Sequence, residues 1–134
     1  MKNTLVDSNV ILDLAQRDSE WIEWSSEQLE IAANESVLVI NPIIYAEVSV
    51  SYDSIEELNS NVPADVFRRE PLPFEAAFLA GKAFLKYKKR GGLRTSPMPD
   101  FYIGAHAAIS NFRILTRDAS RYRTYFPTVA LIAP

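Results

Sequence analysis

Four carboxylates in this 134-residue chain stand where an ordinary surface acid does not. Asp7 follows the apolar run Thr4-Leu5-Val6, and Asp118 comes just after Arg113-Ile114-Leu115-Thr116, so both are expected at the carboxyl ends of strands. Asp100 opens a helical pattern in which it shares a face with Ile103, Gly104 and Ala107. Glu47 lies four positions after Ile43, on the apolar stripe of another helix. A carboxylate on such a stripe needs a cation, a set of hydrogen bonds or a proton. Clustered carboxylates raise one another's pKa, and a divalent cation removes the conflict. With no cysteine and a single histidine, the donors would be oxygen only, which selects Mg²⁺ or Mn²⁺ over zinc. Such a site suits phosphodiester hydrolysis, because the ion activates water and stabilises the leaving oxygen.

Each acid also has a plainer explanation. Asp7, Asp100 and Asp118 can cap helices, and Glu47 can pair with one arginine. The case for a shared site is joint, since two strand-end aspartates and a core-stripe glutamate otherwise need separate reasons. Asp7 and Asp118 can meet only if their strands are neighbours, which local pattern leaves open. His106, on a helix near Tyr102 and Ile109, is expected to serve packing or surface, and Asp13 to be a surface residue of the first helix.

The charge distribution fits a polyanionic partner. Residues 1–81 carry 4 basic and 15 acidic side chains, and residues 82–134 carry 10 basic and 2 acidic ones, within a net charge of −3. Lys82, Lys86, Lys88, Lys89, Arg90 and Arg94 form a run without an acid, and Arg113, Arg117, Arg121 and Arg123 flank Asp118. Contacts of this type give affinity and position, not sequence selectivity. Lys88, Lys89, Arg90, Arg94 and Arg117 are the candidate phosphate-binding residues.

The elements that must position these groups alternate between strands and helices. Ser8 and Asn9 begin a helix after β-type Thr4–Val6, and Asp18-Ser19 can cap a second helix over about 20–33. That helix carries the stripe Ile22, Ser25, Leu29 and Ala32 beside a second stripe containing Trp21 and Trp24, suited to core or to protein contact. Ser36–Ile40 reads as a buried parallel strand, and Asn41-Pro42 caps a helix over about 43–51 with Ile43, Ala46 and Val50 inward. A short polar helix spans about 53–61, and residues 66–72 are ambiguous between edge strand and loop. Pro73 begins a helix to about Tyr87, apolar nearly all round and therefore expected to be buried on two sides, against the sheet and against a partner. Gly91-Gly92 ends it, a helix over 101–110 follows, and strands are expected at 113–116 and 129–132. The whole, residues 1–134, is expected to be one α/β domain with a central parallel sheet of four to five strands in three layers. Acids within the N-terminal apolar run argue against a signal peptide, no uncharged stretch approaches membrane-spanning length, and the lack of cysteine allows a cytoplasmic setting.

With these residues in place, the chain resembles the PIN-domain proteins, specifically the VapC-like toxins of type II toxin–antitoxin pairs. The matching motifs are Val6-Asp7-Ser8-Asn9-Val10-Ile11-Leu12-Asp13, Asn41-Pro42-Ile43-Ile44-Tyr45-Ala46-Glu47, Pro99-Asp100-Phe101-Tyr102-Ile103-Gly104-Ala105-His106-Ala107 and Leu115-Thr116-Arg117-Asp118. The resemblance implies a PIN fold and an Mg²⁺- or Mn²⁺-dependent endoribonuclease whose catalytic and metal-binding quartet is Asp7, Glu47, Asp100 and Asp118. It further implies that Ser8, Asn9 and Thr116 orient ligands or water, that the chain forms a homodimer, and that a cognate antitoxin neutralises it. Two other readings remain open. A haloacid-dehalogenase-like phosphotransferase also places Asp after strand one, but wants a second aspartate two positions later, where this chain has Asn9. A non-catalytic module would use the basic half to hold RNA, or the apolar helices to hold a protein.

Overall fold

A computed structural model describes residues 1–134. Five strands form one all-parallel sheet in the order β3-β2-β1-β4-β5: β1 (Thr4–Val6), β2 (Leu38–Ile40), β3 (Phe67–Arg69), β4 (Arg113–Leu115) and β5 (Leu131–Ile132). Seven helices flank it: α1 (Ser8–Ala15), α2 (Ile22–Glu35), α3 (Pro42–Ser49), α4 (Ile55–Asn61), α5 (Phe74–Lys89), α6 (Pro99–Ser110) and α7 (Ser120–Tyr125). The expected three-layer α/β/α arrangement is the one found. The ambiguous segment at 66–72 is settled as an edge strand, with Leu38 paired to Phe67 and Ile40 to Arg69. No helix is long and apolar enough to cross a membrane.

Strand order places the site. The chain steps outward from β1 to β2 and β3, then crosses back to lay β4 on the other side of β1, with Leu5 opposite Ile114 and Val6 opposite Leu115. The carboxyl ends of β1 and β4 therefore flank the point where strand order reverses, which is where open α/β sheets bind ligands. The three buried residues of β1 are the centre of the core, and those of β2 continue it.

The helices largely keep their expected extents, and their buried faces correct three expectations. On α3 the buried side chains are Ile44 and Val48, whereas Ala46 and Val50 are exposed. The Asn41 carboxamide caps the helix at Ile44 N–H, and this start sets a phase that brings Ile44, not Ile43, onto the sheet. On α5 only Ala76, Ala80 and Ala83 are buried; Phe84 and Tyr87 pack on Phe101, while Phe74 and Phe78 are 90% and 69% exposed. The inner side of this helix therefore packs mainly on α6 rather than on the sheet, and its other side presents Phe74, Phe78 and Leu85 outward. Asp13 is not a surface residue: it is 2% exposed and accepts hydrogen bonds from Ser25 Oγ and Arg117 Nε.

Close packing of α6 depends on Gly104. A Cβ there would come 2.3 Å from a ring carbon of buried Phe126, so only glycine lets that aromatic lie against the helix. Asn111 ends α6 in the left-handed region at φ 58°, a conformation asparagine tolerates, and turns the chain into β4.

Candidate active site

Asp7 is the N-cap of α1 at the end of β1, so the capping explanation is true as far as it goes: its Oδ1 accepts from Ser8 N–H at 2.8 Å. Its Oδ2 does something a cap has no need of. It accepts from Thr116 Oγ1 at 2.9 Å and from the Tyr122 hydroxyl at 2.8 Å, inside the core. Burial pushes the Asp7 carboxyl up from its usual range, and the hydrogen bonds from Tyr122, Thr116 and Ser8 oppose that rise.

Ser8 links the first carboxylate to the second. Its hydroxyl donates to Glu47 Oε1 at 2.9 Å while standing 3.5 Å from Asp7 Oδ1. Glu47 is half-buried on α3, one turn from the buried Ile44, and its partner is this serine rather than an arginine. Burial raises its pKa, and the charges of Asp7 and Asp100 add to the rise. Asp100 lies in the first turn of α6 without a capping bond. Burial and then the charge of Asp7 push its pKa up to about 6; Asp118 adds to this and Arg121 works against it.

Asp118 is exposed, and its Oδ1 accepts from Ser120 Oγ at 3.0 Å. It is held near Asp7 through Thr116, whose Oγ1 accepts from Asp118 N–H and from the Asn9 amide, both at 3.1 Å, while its single proton goes to Asp7. Asn9 also accepts from Arg117 N–H at 3.3 Å. Adjacency of β1 and β4, left open by local pattern, thus makes Asp7 and Asp118 neighbours, and Ser8, Asn9 and Thr116 are the groups that orient them.

No three carboxylates or imidazoles are close enough, as the side chains stand, to hold one ion among them. The donor set nevertheless suits a hard divalent cation. Asp7 Oδ1, Glu47 Oε2 and Asp118 Oδ2 keep lone pairs that no protein donor occupies in these hydrogen bonds, while Asp100 is approached by the Tyr122 hydroxyl and by Arg121. The charges of Asp7 and Asp100 raise the pKa of Glu47, and those of Asp7 and Asp118 raise that of Asp100, a repulsion that a cation relieves.

The remaining residues singled out from sequence divide. Arg117 is committed: its Nε lies 3.0 Å from Asp13 Oδ2 and its guanidinium stacks over Trp21, so it is an anchor and not a cation awaiting a phosphate. Trp21 in turn meets Trp24 edge to face, and both are half-buried. Lys88 and Lys89 are exposed in the last turn of α5; Arg90 lies over the Tyr125 ring, and Arg94 N–H reaches the Tyr87 hydroxyl. His106 is buried, faces Phe112, and takes a bond from the Asn41 amide at Nδ1; burial lowers its pKa. It is a packing residue, as expected.

Two residues escaped the sequence reading. Tyr122 is fully buried, and burial together with the charge of Asp7 raises its pKa well above the ordinary value, so it is a neutral donor. The available signal was a tyrosine four positions after Asp118 on a short helix, since a buried phenol must find a partner. Arg121, previously one cation among several, lies 3.9 Å from Asp100.

A family model described as PIN domain matches residues 4–127. No curated protein sequence matches the chain significantly. Among solved structures, VapBC2 from Rickettsia felis, bound to a DNA fragment from their promoter, aligns with TM-score 0.73 at 17% identity, covering 98% of each chain. VapBC-1 from nontypeable Haemophilus influenzae aligns with TM-score 0.71 at 18% identity over 97% of this chain and 96% of that one. FitAcB from Neisseria gonorrhoeae gives 0.63 at 19% identity over 96% of each. At these identities the likeness is one of fold.

Proposed function

The chain belongs to the PIN-domain family, and from that premise we propose that it is a metal-dependent endoribonuclease, acting as the toxin of a type II toxin–antitoxin pair. The observation that carries the reading is the linkage of Asp7 to Glu47 through Ser8 and to Asp118 through Thr116 beside the carboxyl ends of β1 and β4, with Asp100 near enough for the charges of Asp7 and Asp118 to act on it. Mg²⁺ or Mn²⁺ would be held by these four carboxylates. When bound, such an ion supplies an acidified water and stabilises the leaving oxygen of an in-line displacement.

The chain's own residues set the stage for that step. Thr116 and Tyr122 fill Asp7 Oδ2 and fix the carboxylate, while Oδ1, which accepts from Ser8 N–H, keeps a lone pair for a cation. Ser8 holds Glu47 beside it, and Thr116 ties the backbone of Asp118 to Asp7. Glu47 and Asp100 can also hold or take up a proton, because burial and neighbouring charge raise both. The basic C-terminal portion offers the polyanion its electrostatic footing.

The structures of similar fold are VapBC and FitAB assemblies, which supports a cognate antitoxin as partner here. The exposed α5 face, with Phe74, Phe78 and Leu85, is assigned to contact with a second copy of this chain, giving a homodimer in the cytoplasm. Incubating defined tRNAs and an mRNA with the protein, with and without EDTA, is the direct test. Cleavage that EDTA stops, that Mg²⁺ restores, and that Asp7→Ala lacks while remaining folded by circular dichroism is the expected result. Cleavage insensitive to EDTA, or retained by Asp7→Ala, overturns the assignment. A non-catalytic module would bind RNA without cutting it, and a phosphotransferase would yield an acyl-phosphate on Asp7.

A further inference from the structure

Arg121 is placed unlike any other cation of the chain. Its guanidinium lies 5.6 Å from the Tyr87 ring centroid and 5.7 Å from that of Phe101, and only 33% of its side chain is exposed. Yet its donors are poorly spent. Nε faces Asp100 at 3.9 Å, too long for a hydrogen bond, and Nη1 meets the Met98 thioether sulfur, a weak acceptor, at 3.0 Å. A guanidinium has five N–H groups, so most of this one is unused beside a carboxylate cluster.

The unused donors border a cleft. Between the end of α5 and α7 lies a depression of about 210 Å³ lined by Tyr87, Ser120, Arg121, Thr124 and Tyr125. A second guanidinium, that of Arg90, lies 5.4 Å over the Tyr125 ring. The Tyr87 hydroxyl accepts from the N–H groups of Leu93 and Arg94 and so pins the basic loop at the same place. Arg121, whose carboxylate partner stands off at 3.9 Å, and exposed Arg90, stacked on the Tyr125 ring, offer guanidinium donors suited to a tetrahedral oxyanion.

We propose that this cleft is a subsite for an RNA phosphate neighbouring the scissile one, gripped by Arg121 with Arg90 as the second cation. The inference rests on the nuclease reading and deepens it. Asp100 joins the two places: it belongs to the carboxylate cluster on one side and touches Arg121 on the other. A strand crossing from the cleft to the carboxylates would present one phosphate to Arg121 and the next to the cluster. Stacking on Tyr87 and Phe101 fixes the guanidinium before RNA arrives, so little side-chain entropy is lost on binding.

Binding of a fluorescein-labelled single-stranded oligoribonucleotide, measured by anisotropy in EDTA across a salt series, tests this without catalysis. Arg121→Gln is expected to weaken binding ~10-fold and to reduce the magnitude of the log–log salt slope by about 0.7, the value for one phosphate on a single strand. Arg123→Gln, on the same helix with the same charge change, is expected to weaken it less than ~2-fold. Equal losses in the two variants, or none in Arg121→Gln, overturn the subsite, as does displacement of RNA by polyglutamate as readily as by unlabelled RNA. Should Arg121→Gln unfold, Arg90→Gln reads the same cleft, with an expected loss of ~3-fold; unchanged binding overturns the proposal. If the wild type binds RNA and Arg121→Gln loses it, but Mg²⁺ brings no cleavage, the subsite stands and the nuclease reading falls.

Discussion

The Tyr122 hydroxyl donates a 2.8 Å hydrogen bond to Oδ2 of Asp7, a residue 115 positions earlier in the chain. Both groups are buried, and the same oxygen also accepts from Thr116 at 2.9 Å. Oδ2 is thereby filled by the scaffold, whereas Oδ1 spends one lone pair on Ser8 N–H and keeps the other. Tyr122 is a positioning residue for Asp7.

Removing that hydroxyl leaves an anion short of a donor in a dry environment. Tyr122→Phe should destabilise the fold by about 1.5–3 kcal/mol, the range for a hydrogen bond to a charged group. Urea denaturation reads this directly, and a midpoint matching the wild type at equal m-value would show that Asp7 does not depend on the phenol.

Asp100 carries a cost that depends on pH. Its pKa is about 6 in the folded chain against an ordinary 3.8, so the folded state holds the proton more tightly. Its contribution to stability is complete below about pH 4 and is lost as pH rises through about 6. Asp100→Asn removes this loss. The variant should gain on the metal-free wild type between pH 4 and 6 and plateau above. The gain is about 1 kcal/mol once screening of a partly exposed side chain is allowed for. Thermal melts of both proteins in EDTA across that window supply the difference, and cleavage should be abolished in the variant. A gap that stays flat with pH would contradict the electrostatic coupling.

Asp13 and Arg117 form the other ion pair that matters, since one partner is 2% exposed and the pair ties α1 to the loop that carries Asp118. Arg117→Gln should cost about 2 kcal/mol. That is below the ~3–5 kcal/mol typical when a fully buried pair is broken, because a third of the arginine side chain remains in solvent. It should lower RNA cleavage mainly through the stability of that loop, with single-stranded RNA affinity in EDTA nearly unchanged. A large loss of affinity with unchanged stability would return Arg117 to the substrate-binding set.

Gly104→Ala tests the packing of α6. In an exposed helix the change would be favourable by about 1 kcal/mol. Here the added methyl enters the Phe126 ring, so a net loss of about 1–3 kcal/mol is expected. Calorimetry showing a raised Tm would mean that Phe126 can step aside.

Much of this was readable locally. The strand-then-acid pattern at Val6-Asp7 and at Leu115-Thr116-Arg117-Asp118, the Asn41-Pro42 cap and the Gly91-Gly92 stop are signals that act within a few residues, and each element formed where its signal lay. Asp7, Glu47, Asp100 and Asp118 stand out in the sequence because they break local rules, a glutamate beside a core stripe and aspartates at strand and helix ends. The Ile44–Val48 face of α3 departs from the expected one because an apolar helix of only eight residues offers two adjacent stripes, and the cap at Asn41 chooses between them.

Partner choice lay beyond local pattern. Whether β4 lies beside β1 is settled by pairing across more than a hundred residues, and this adjacency lets Thr116 and Tyr122 reach Asp7. The same pairing turned Asp13, expected on the surface of the first helix, into the buried anchor of Arg117. The order of residues specifies helices, strands and caps because those depend on neighbours three or four positions away. Which oxygen of a carboxylate is filled, and which cation stays unspent beside it, depends on chain crossings that bring distant side chains together after the sheet has closed.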